Sequence, residues 1–174
     1  MNVYPIEAGN FKLDGGAMFG VVPKSLWTKT NPADADNMIE MSSRCMLVEN
    51  SDKLILVDTG MGDKQSEKFF KHYKRWGSDN LVKSINSAGF SVDDITDVLL
   101  THLHFDHCGG AVVWDSSKEA YDVLFKNANY WSNENHWDWA TSPNPREKAS
   151  FLEENLFPIK AVSYTHLTLP TNSN

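Results

Sequence analysis

Residues 101–110 read T-H-L-H-F-D-H-C-G-G and place three histidines and an aspartate within six positions, directly after a short apolar run. Four such side chains are costly to remove from water without partners, and a divalent cation suits imidazole and carboxylate alike. In an extended segment His102 and His104 point to the same side, so two ring nitrogens can converge on one ion. Asp106 and His107 follow beyond the strand and can offer an oxygen and a third imidazole to a second ion. This stretch therefore predicts a metal site.

The donor types narrow the choice of metal without fixing it. Nitrogen and oxygen donors without thiolate suit zinc, and they also suit manganese, iron or cobalt, because affinity alone does not choose among divalent ions. The alternative is that some of these histidines are loop residues with ordinary hydrogen bonds, and their close clustering argues against it. We therefore expect two divalent metal ions in the complete protein, with zinc preferred and manganese or iron as alternatives.

This motif resembles the central H-x-H-x-D-H motif of the metallo-β-lactamase-fold hydrolases. Residues 54–60, L-I-L-V-D-T-G, resemble an earlier strand of that family, which ends in an aspartate and a glycine. The resemblance implies that His102 and His104 bind a first metal ion, and that Asp106 and His107 bind a second. A mixed fold of the αββα sandwich type is implied with them.

The resemblance also implies that the carboxylate of Asp58 orients the metal loop by hydrogen bonding, as groups behind metal ligands generally do. The alternative is a turn aspartate ahead of Thr59 and Gly60, because turns also favour Asp and Gly. The motif downstream favours the orienting role.

Details of the motif indicate which branches of the family the chain resembles. In having a histidine at 107, the chain resembles lactonases, glyoxalase-II-like thioesterases, the related nucleases and one β-lactamase subclass. A histidine rather than a glutamate at 104 disfavours the diiron flavoprotein reductases. The segment around Met18 and Phe19 resembles the lactonase branch, in which a loop of this region borders the active site. These two residues are therefore candidate substrate-binding residues.

The rest of a dinuclear site is missing from the sequence. In this family a further histidine, a bridging carboxylate and a last histidine come from the second half of the domain, and His136 falls too early to be one of them. We therefore expect residues 1–161 to be the N-terminal part of a larger domain. Residues 162–174, which include His166, resemble the in-frame translation of a sequencing adapter and are expected to be a non-native tail. The alternative is a native tail.

Apolar periodicity predicts an α/β (α+β) fold, a layered sheet covered by helices that agrees with about half of an αββα sandwich. Paired strands come first, and later strands alternate with helices. The predicted strands are residues 3–8, 18–22, 45–48, 54–58 and 98–101, and the predicted helices are 67–76, 80–88, a helix capped by Ser132, and 145–156.

Composition predicts one cytoplasmic globular domain. The chain has 174 residues, of which 41% are hydrophobic and 22% charged, and no apolar run approaches membrane-spanning length. No secretory signal pattern is evident, and two cysteines suit a reducing compartment. A formal charge of -7 disfavours nucleic acid as a partner. We expect a small-molecule substrate, no nucleic acid and no membrane.

The leading hypothesis for function is a metallo-hydrolase that attacks a carbonyl ester, preferably a lactone, with a metal-bound hydroxide. A bound metal lowers the pKa of water from about 16 towards about 7. Asp106 is the candidate catalytic group, because it can accept a proton when the leaving group departs. One alternative is a phosphodiester, organophosphate or thioester hydrolase with the same site. Another is an inactive truncated fragment, because half a sandwich leaves apolar sheet surface uncovered.

Overall fold

The computed structural model describes the backbone of residues 1–166 and the side chains of residues 1–161. Residues 167–174 of the expected tail lie outside the described residues, and its boundary at residue 162 stays a prediction. Within the described chain no helix is long and apolar enough to cross a bilayer. The elements, in chain order, are β1 (Asn2–Asp14), α1 (Gly15–Phe19), α2 (Lys24–Trp27), β2 (Met38–Asn50), β3 (Lys53–Val57), α3 (Glu67–Lys71), α4 (Leu81–Ser87), β4 (Asp97–Leu99), α5 (Phe105–Cys108), β5 (Val112–Trp114), β6 (Tyr121–Val123), β7 (Asn129–Ser132), α6 (Glu134–Thr141), α7 (Glu153–Ser163) and β8 (Tyr164–His166).

Six strands of the described chain form one mixed sheet in the order β1-β2-β3-β4-β7-β8, and β5 and β6 form a separate hairpin. β1, β2 and β3 pair antiparallel in succession, whereas β3, β4, β7 and β8 run parallel. Because the carboxyl ends of parallel strands meet at one edge, the segments that follow β3, β4 and β7 are brought together there. This edge is where ligands bind in open α/β sheets.

One face of the sheet is packed and the other is largely uncovered. Leu56 of β3 pairs with Val98 of β4, which pairs with Tyr130 of β7, and all three are fully buried with residues of α4, α6 and α7. Residues of the opposite face alternate with them, and Met46 of β2 is 42% exposed there. This alternation explains why apolar periodicity identified β3 and β4.

A long two-stranded arm extends from the sheet. β1 and β2 stay paired from Asn2 and Glu49 to Asp14 and Met38, well past the end of β3. The strand predicted at 18–22 is wrong, because α1 and a turn occupy this segment at the tip of the arm.

The residues around α1 explain why this segment is helical rather than a strand. Asp14 caps it by accepting the N–H of Ala17 at 2.8 Å. Trp27 lies so close to Gly15 that any side chain there would collide with its ring, and it stacks on Phe19 with ring centroids 5.0 Å apart. A compact helical tip replaces the strand.

The later helices also begin at other residues than predicted. Asn133, not Ser132, caps α6 by accepting the N–H of His136 at 3.2 Å. The helix predicted to begin at Pro145 is wrong as well, since α7 begins only at Glu153. Asn144 instead holds a turn, accepting the N–H groups of two following residues with its side chain.

Candidate metal centre

The four predicted ligands lie together just beyond the end of β4. The carbonyl of His104 accepts the N–H groups of His107 and Cys108, both at 3.0 Å, and so begins the single turn of α5. The ring centroids of His102 and His107 are 3.9 Å apart, and those of His102 and His104 are 4.7 Å apart. Asp106 Oδ2 is 3.6 Å from His107 Nε2. The structure therefore brings all four side chains into one cluster.

The cluster is not a preformed ligand set. Within the described part of the chain, no three His, Cys, Asp or Glu side chains form a group that could hold a metal ion as they stand. The chemistry of the donors nevertheless fits such an ion, since three imidazoles and a carboxylate are a combination that zinc and related cations accept.

Asp58 lies behind the cluster, directly after β3, and its carboxylate joins three groups of the metal loop. It accepts the N–H of Thr101 at 2.9 Å, the hydroxyl of Thr101 at 2.8 Å, and the Nδ1–H of His107 at 2.9 Å. The backbone of Asp58 is in the left-handed region, with φ of 60°, which asparagine and aspartate tolerate better than most residues. A proton on Nδ1 leaves Nε2 of His107 free to bind a cation.

Burial and neighbouring charges set the protonation of the histidines. Burial, reinforced by His107 and His104, lowers the pKa of His102 to about 4. For His107, burial is outweighed by the hydrogen bond to Asp58 and by the charge of Asp106, so that its pKa is raised. His102 is therefore neutral at pH 7, with a ring nitrogen available as a ligand.

Close backbone contacts fix the metal loop against the segment that follows β3. Thr59 donates its N–H to the carbonyl of His107 at 2.8 Å, and Gly110 donates its N–H to the carbonyl of Gly60 at 2.9 Å. A Cβ atom at Gly110 would collide with the carbonyl of Thr59, and one at Gly109 would collide with that of Met61. The glycine pair at the end of the motif thus permits the approach of the two segments.

Lys64 contacts the metal loop, and the sequence did not predict this contact. Its side chain is buried, with 6% of the residue exposed, and its Nζ donates a hydrogen bond to the carbonyl of Gly109 at 2.6 Å. Burial lowers its pKa to about 8. Nothing in the local pattern distinguishes this lysine from a surface residue, so only the fold could identify it.

His136 also lies beside the cluster, although its position in the sequence argued against a role as a ligand. The N–H of Leu103 donates to its Nε2 at 2.9 Å. Phe151 packs against this ring and against His104, with centroid distances of 5.7 and 4.8 Å. Burial and the neighbouring His104 lower the pKa of His136.

A buried aromatic cluster packs next to the metal motif. Phe105, within the metal motif, contacts Phe69 and Tyr73 at centroid distances of 5.3 and 4.8 Å. A cavity of about 140 Å³ lies between the arm and the metal loop, lined by Phe11, Met41, Ser42, Ser43, Arg44, Cys45, Asp58, Gly60, Asp106 and His107.

Met18 and Phe19 do not line this cavity. They lie in α1 at the tip of the arm, and in the described chain no hydrogen bond or ring contact joins them to the histidines. Their assignment to substrate binding stays a prediction. The side chain of His166 lies outside the described side chains.

Comparison with known proteins identifies relatives of the whole described fold. Residues 39–174 match the family model described as the metallo-beta-lactamase superfamily. An N-acyl homoserine lactonase of Bacillus cereus is 31% identical over 104 residues, which cover 54% of this chain and 40% of that protein.

Two solved structures extend the likeness to nearly the full chain. A probable metal-dependent hydrolase from Staphylococcus aureus has a TM-score of 0.85 at 28% identity and is matched over 98% of this chain and 61% of its own. A dizinc quorum-quenching lactonase, solved with the product N-hexanoyl-L-homoserine, has a TM-score of 0.69 at 27% identity. The match covers 97% of this chain and 58% of the lactonase chain. The predicted mixed α/β fold is confirmed. The chain spans about three fifths of these two proteins.

Proposed function

Because the chain belongs to the metallo-beta-lactamase superfamily, in its lactonase-like branch, we propose that it carries the first metal-binding segment of a hydrolase that opens lactones. The observation that carries this proposal is the cluster of His102, His104, Asp106 and His107 at the carboxyl edge of the sheet, with Asp58 bonded behind it. Zinc is the preferred metal, since the donors are nitrogen and oxygen and a related lactonase is a dizinc protein.

Each residue of the cluster has a distinct role in this proposal. His102 and His104 would hold one cation, and Asp106 and His107 would hold the other. When bound, such ions supply a water of lowered pKa as the nucleophile and positive charge for the oxygen of the opening ester. Asp58 keeps the proton of His107 on Nδ1, which leaves the lone pair of Nε2 for a cation. The carboxylate of Asp106 would accept the proton of the attacking water and return it to the leaving oxygen.

A small apolar ester suits the surroundings of the cluster. The cavity between the arm and the metal loop is lined by Phe11 and Met41 as well as by Asp106 and His107, and it offers apolar surface beside the proposed ligands. An N-acyl homoserine lactone combines a lactone carbonyl with an apolar chain, and related proteins bear the name of this activity. We propose this compound class as the substrate, and a small molecule rather than a nucleic acid because of the charge of -7. A cytoplasmic location is part of the same proposal.

Hydrolysis assays with the intact protein test this function. The protein, loaded with zinc or manganese, is offered an N-acyl homoserine lactone, an acyl thioester and an aryl phosphate. We expect the lactone to be opened fastest, and His104→Ala to abolish turnover while His72→Ala, at an exposed histidine outside the cluster, leaves it unchanged. Turnover of the phosphate alone would favour the alternative hydrolase, and no turnover of any carbonyl ester would contradict the proposal.

The alternative of an inactive fragment needs a separate comparison. The 174-residue chain leaves apolar residues of one sheet face, among them Met46, exposed to solvent. Size-exclusion chromatography and the same assays distinguish an aggregating, inactive 174-residue chain from a monodisperse, active one.

A further inference from the structure

His136 touches the metal loop through one backbone group, the N–H of Leu103. This amide donates to His136 Nε2 at 2.9 Å, and Leu103 is the residue that separates His102 from His104. The last hydrogen bond between the segment after β4 and β7 is the one from the N–H of Leu100 to the carbonyl of Trp131. Leu103 therefore lies beyond the reach of the sheet and needs another acceptor.

The peptide groups of Leu103 are fixed on both sides. Leu103 is fully buried, so its N–H cannot reach water, and an unpaired buried amide is destabilising. Its carbonyl accepts a hydrogen bond from the thiol of Cys108 at 3.3 Å. Because His102 and His104 flank this residue, the bonds that fix its peptide groups also fix the main-chain positions of both histidines.

His136 is itself held in place. It lies in the first turn of α6, whose cap residue Asn133 accepts the N–H of His136 at 3.2 Å. Its ring packs on Phe151, which is buried and also contacts His104. The ring is therefore anchored to the strand-helix unit of β7 and α6, next to β4 in the sheet.

We propose that His136 is a positioning residue, which holds the His102–His104 segment in the geometry for metal binding by accepting the N–H of Leu103, and that it is not itself a metal ligand. The ring centroid of His136 is 6.2 Å from that of His102, close enough that a role as a ligand has to be tested against this one. The lone pair of Nε2 is used by the amide, so the proton of the neutral ring is on Nδ1. The proposal rests on the proposed metal site, because the histidines that it positions are the proposed ligands.

The test compares two replacements of His136 that differ in one property. His136→Gln keeps a side-chain acceptor for the amide, whereas His136→Phe keeps an aromatic ring without an acceptor. His72→Gln, at an exposed histidine outside the cluster, is the matched control. Circular dichroism and thermal unfolding establish that each variant is folded.

Two readouts are measured on the 174-residue chain. The first is the hydrogen-exchange rate of the Leu103 amide and the ring signals of His102 and His104, by NMR without metal. The second is the affinity for Co²⁺ together with its absorption spectrum.

We expect His136→Phe to speed exchange of the Leu103 amide by about tenfold or more, to move the two ring signals, and to weaken Co²⁺ binding by about 10–100-fold. His136→Gln should stay within about threefold of the unsubstituted chain, with the same spectrum. Equal and large losses of Co²⁺ in both variants would assign His136 as a ligand and overturn the proposal. Unchanged exchange and affinity in His136→Phe would overturn it too.

The first readout separates this proposal from the function on which it rests. Should the unsubstituted chain bind no Co²⁺, the proposed metal site fails, and the positioning role is decided by the metal-free NMR readout alone. Ring signals of His102 and His104 that stay in place in His136→Phe would then refute it.

Discussion

Nδ1 of His107 lies 2.9 Å from Oδ2 of Asp58, a residue 49 positions earlier in the chain. This contact joins the end of β3 to the single turn of α5, and Nε2 of His107 lies on the other side of the ring, 3.6 Å from Asp106 Oδ2. The same carboxylate accepts both the N–H and the hydroxyl of Thr101, at the start of the motif. Asp58 therefore sets the orientation of the loop at both of its ends.

Replacement of Asp58 by asparagine tests this relationship. The amide keeps the size of the side chain but loses the charge, and one of its two positions becomes a donor that opposes the Nδ1–H of His107. We expect Asp58→Asn to weaken zinc binding by about 10–100-fold, measured by competition with a chromophoric chelator. Asp52→Asn, in the exposed turn between β2 and β3, should leave the affinity unchanged. Equal affinities in the two variants would contradict an orienting role for Asp58.

The close approach of the two segments behind the cluster predicts a steric effect at Gly110. A Cβ atom there meets the carbonyl of Thr59, which cannot move without shifting the loop after β3. Gly110→Ala should lower the free energy of unfolding by about 1–3 kcal/mol and should weaken zinc binding, measured by chemical denaturation and chelator competition.

Gly89→Ala is the control for this prediction. Its φ of 93° strains the backbone, but a Cβ atom at this position meets nothing within 4 Å. It should lower stability without any change in zinc affinity. If zinc binding survives Gly110→Ala unchanged, the packing of the glycine pair does not set the position of the ligands.

Lys64 gives a prediction for the dependence of stability on pH. Burial lowers its pKa from 10.5 to about 8, with Cys108 and Glu154 as the neighbouring ionisable groups. Between pH 8 and 10.5 the unfolded chain therefore binds more protons at this residue than the folded chain. Its contribution to the free energy of unfolding should rise with pH in that interval, by at most about 1.4 kcal/mol per pH unit.

The measurement compares the unsubstituted chain with Lys64→Met. The difference between their free energies of unfolding, from urea denaturation at pH 7 to 10.5, should change in favour of the unsubstituted chain as the pH rises. A difference that stays constant over this range would show that the amine of Lys64 is not buried as described.

The features that the sequence could predict are local in the chain. His102, His104, Asp106 and His107 stand within six positions, so their clustering needed no knowledge of the fold. The strands around Leu56 and Val98 were recognisable because each buries one face against the helices.

The features that the sequence did not predict depend on contacts between residues that are distant in the chain. The tip of the arm is helical because Trp27 packs on Gly15, whereas the apolar residues 18–22 alone predict a strand. β7 was not predicted, because its four residues are too few for a periodic pattern and form a strand through pairing with β4. Lys64 and His136 meet the metal loop only after folding, through a backbone carbonyl and a backbone N–H that any sequence could provide.

Binding of divalent metal ions by the side chains after β4 is measured by a zinc titration of the metal-free 174-residue chain against a chromophoric chelator, together with the double variant His102→Ala/His104→Ala and the control His72→Ala. We expect the unsubstituted chain and the control to take at least one zinc ion, and the double variant to lose at least about 100-fold in affinity. If the chain takes no zinc, or if the double variant takes it equally well, the side chains after β4 are not a metal site.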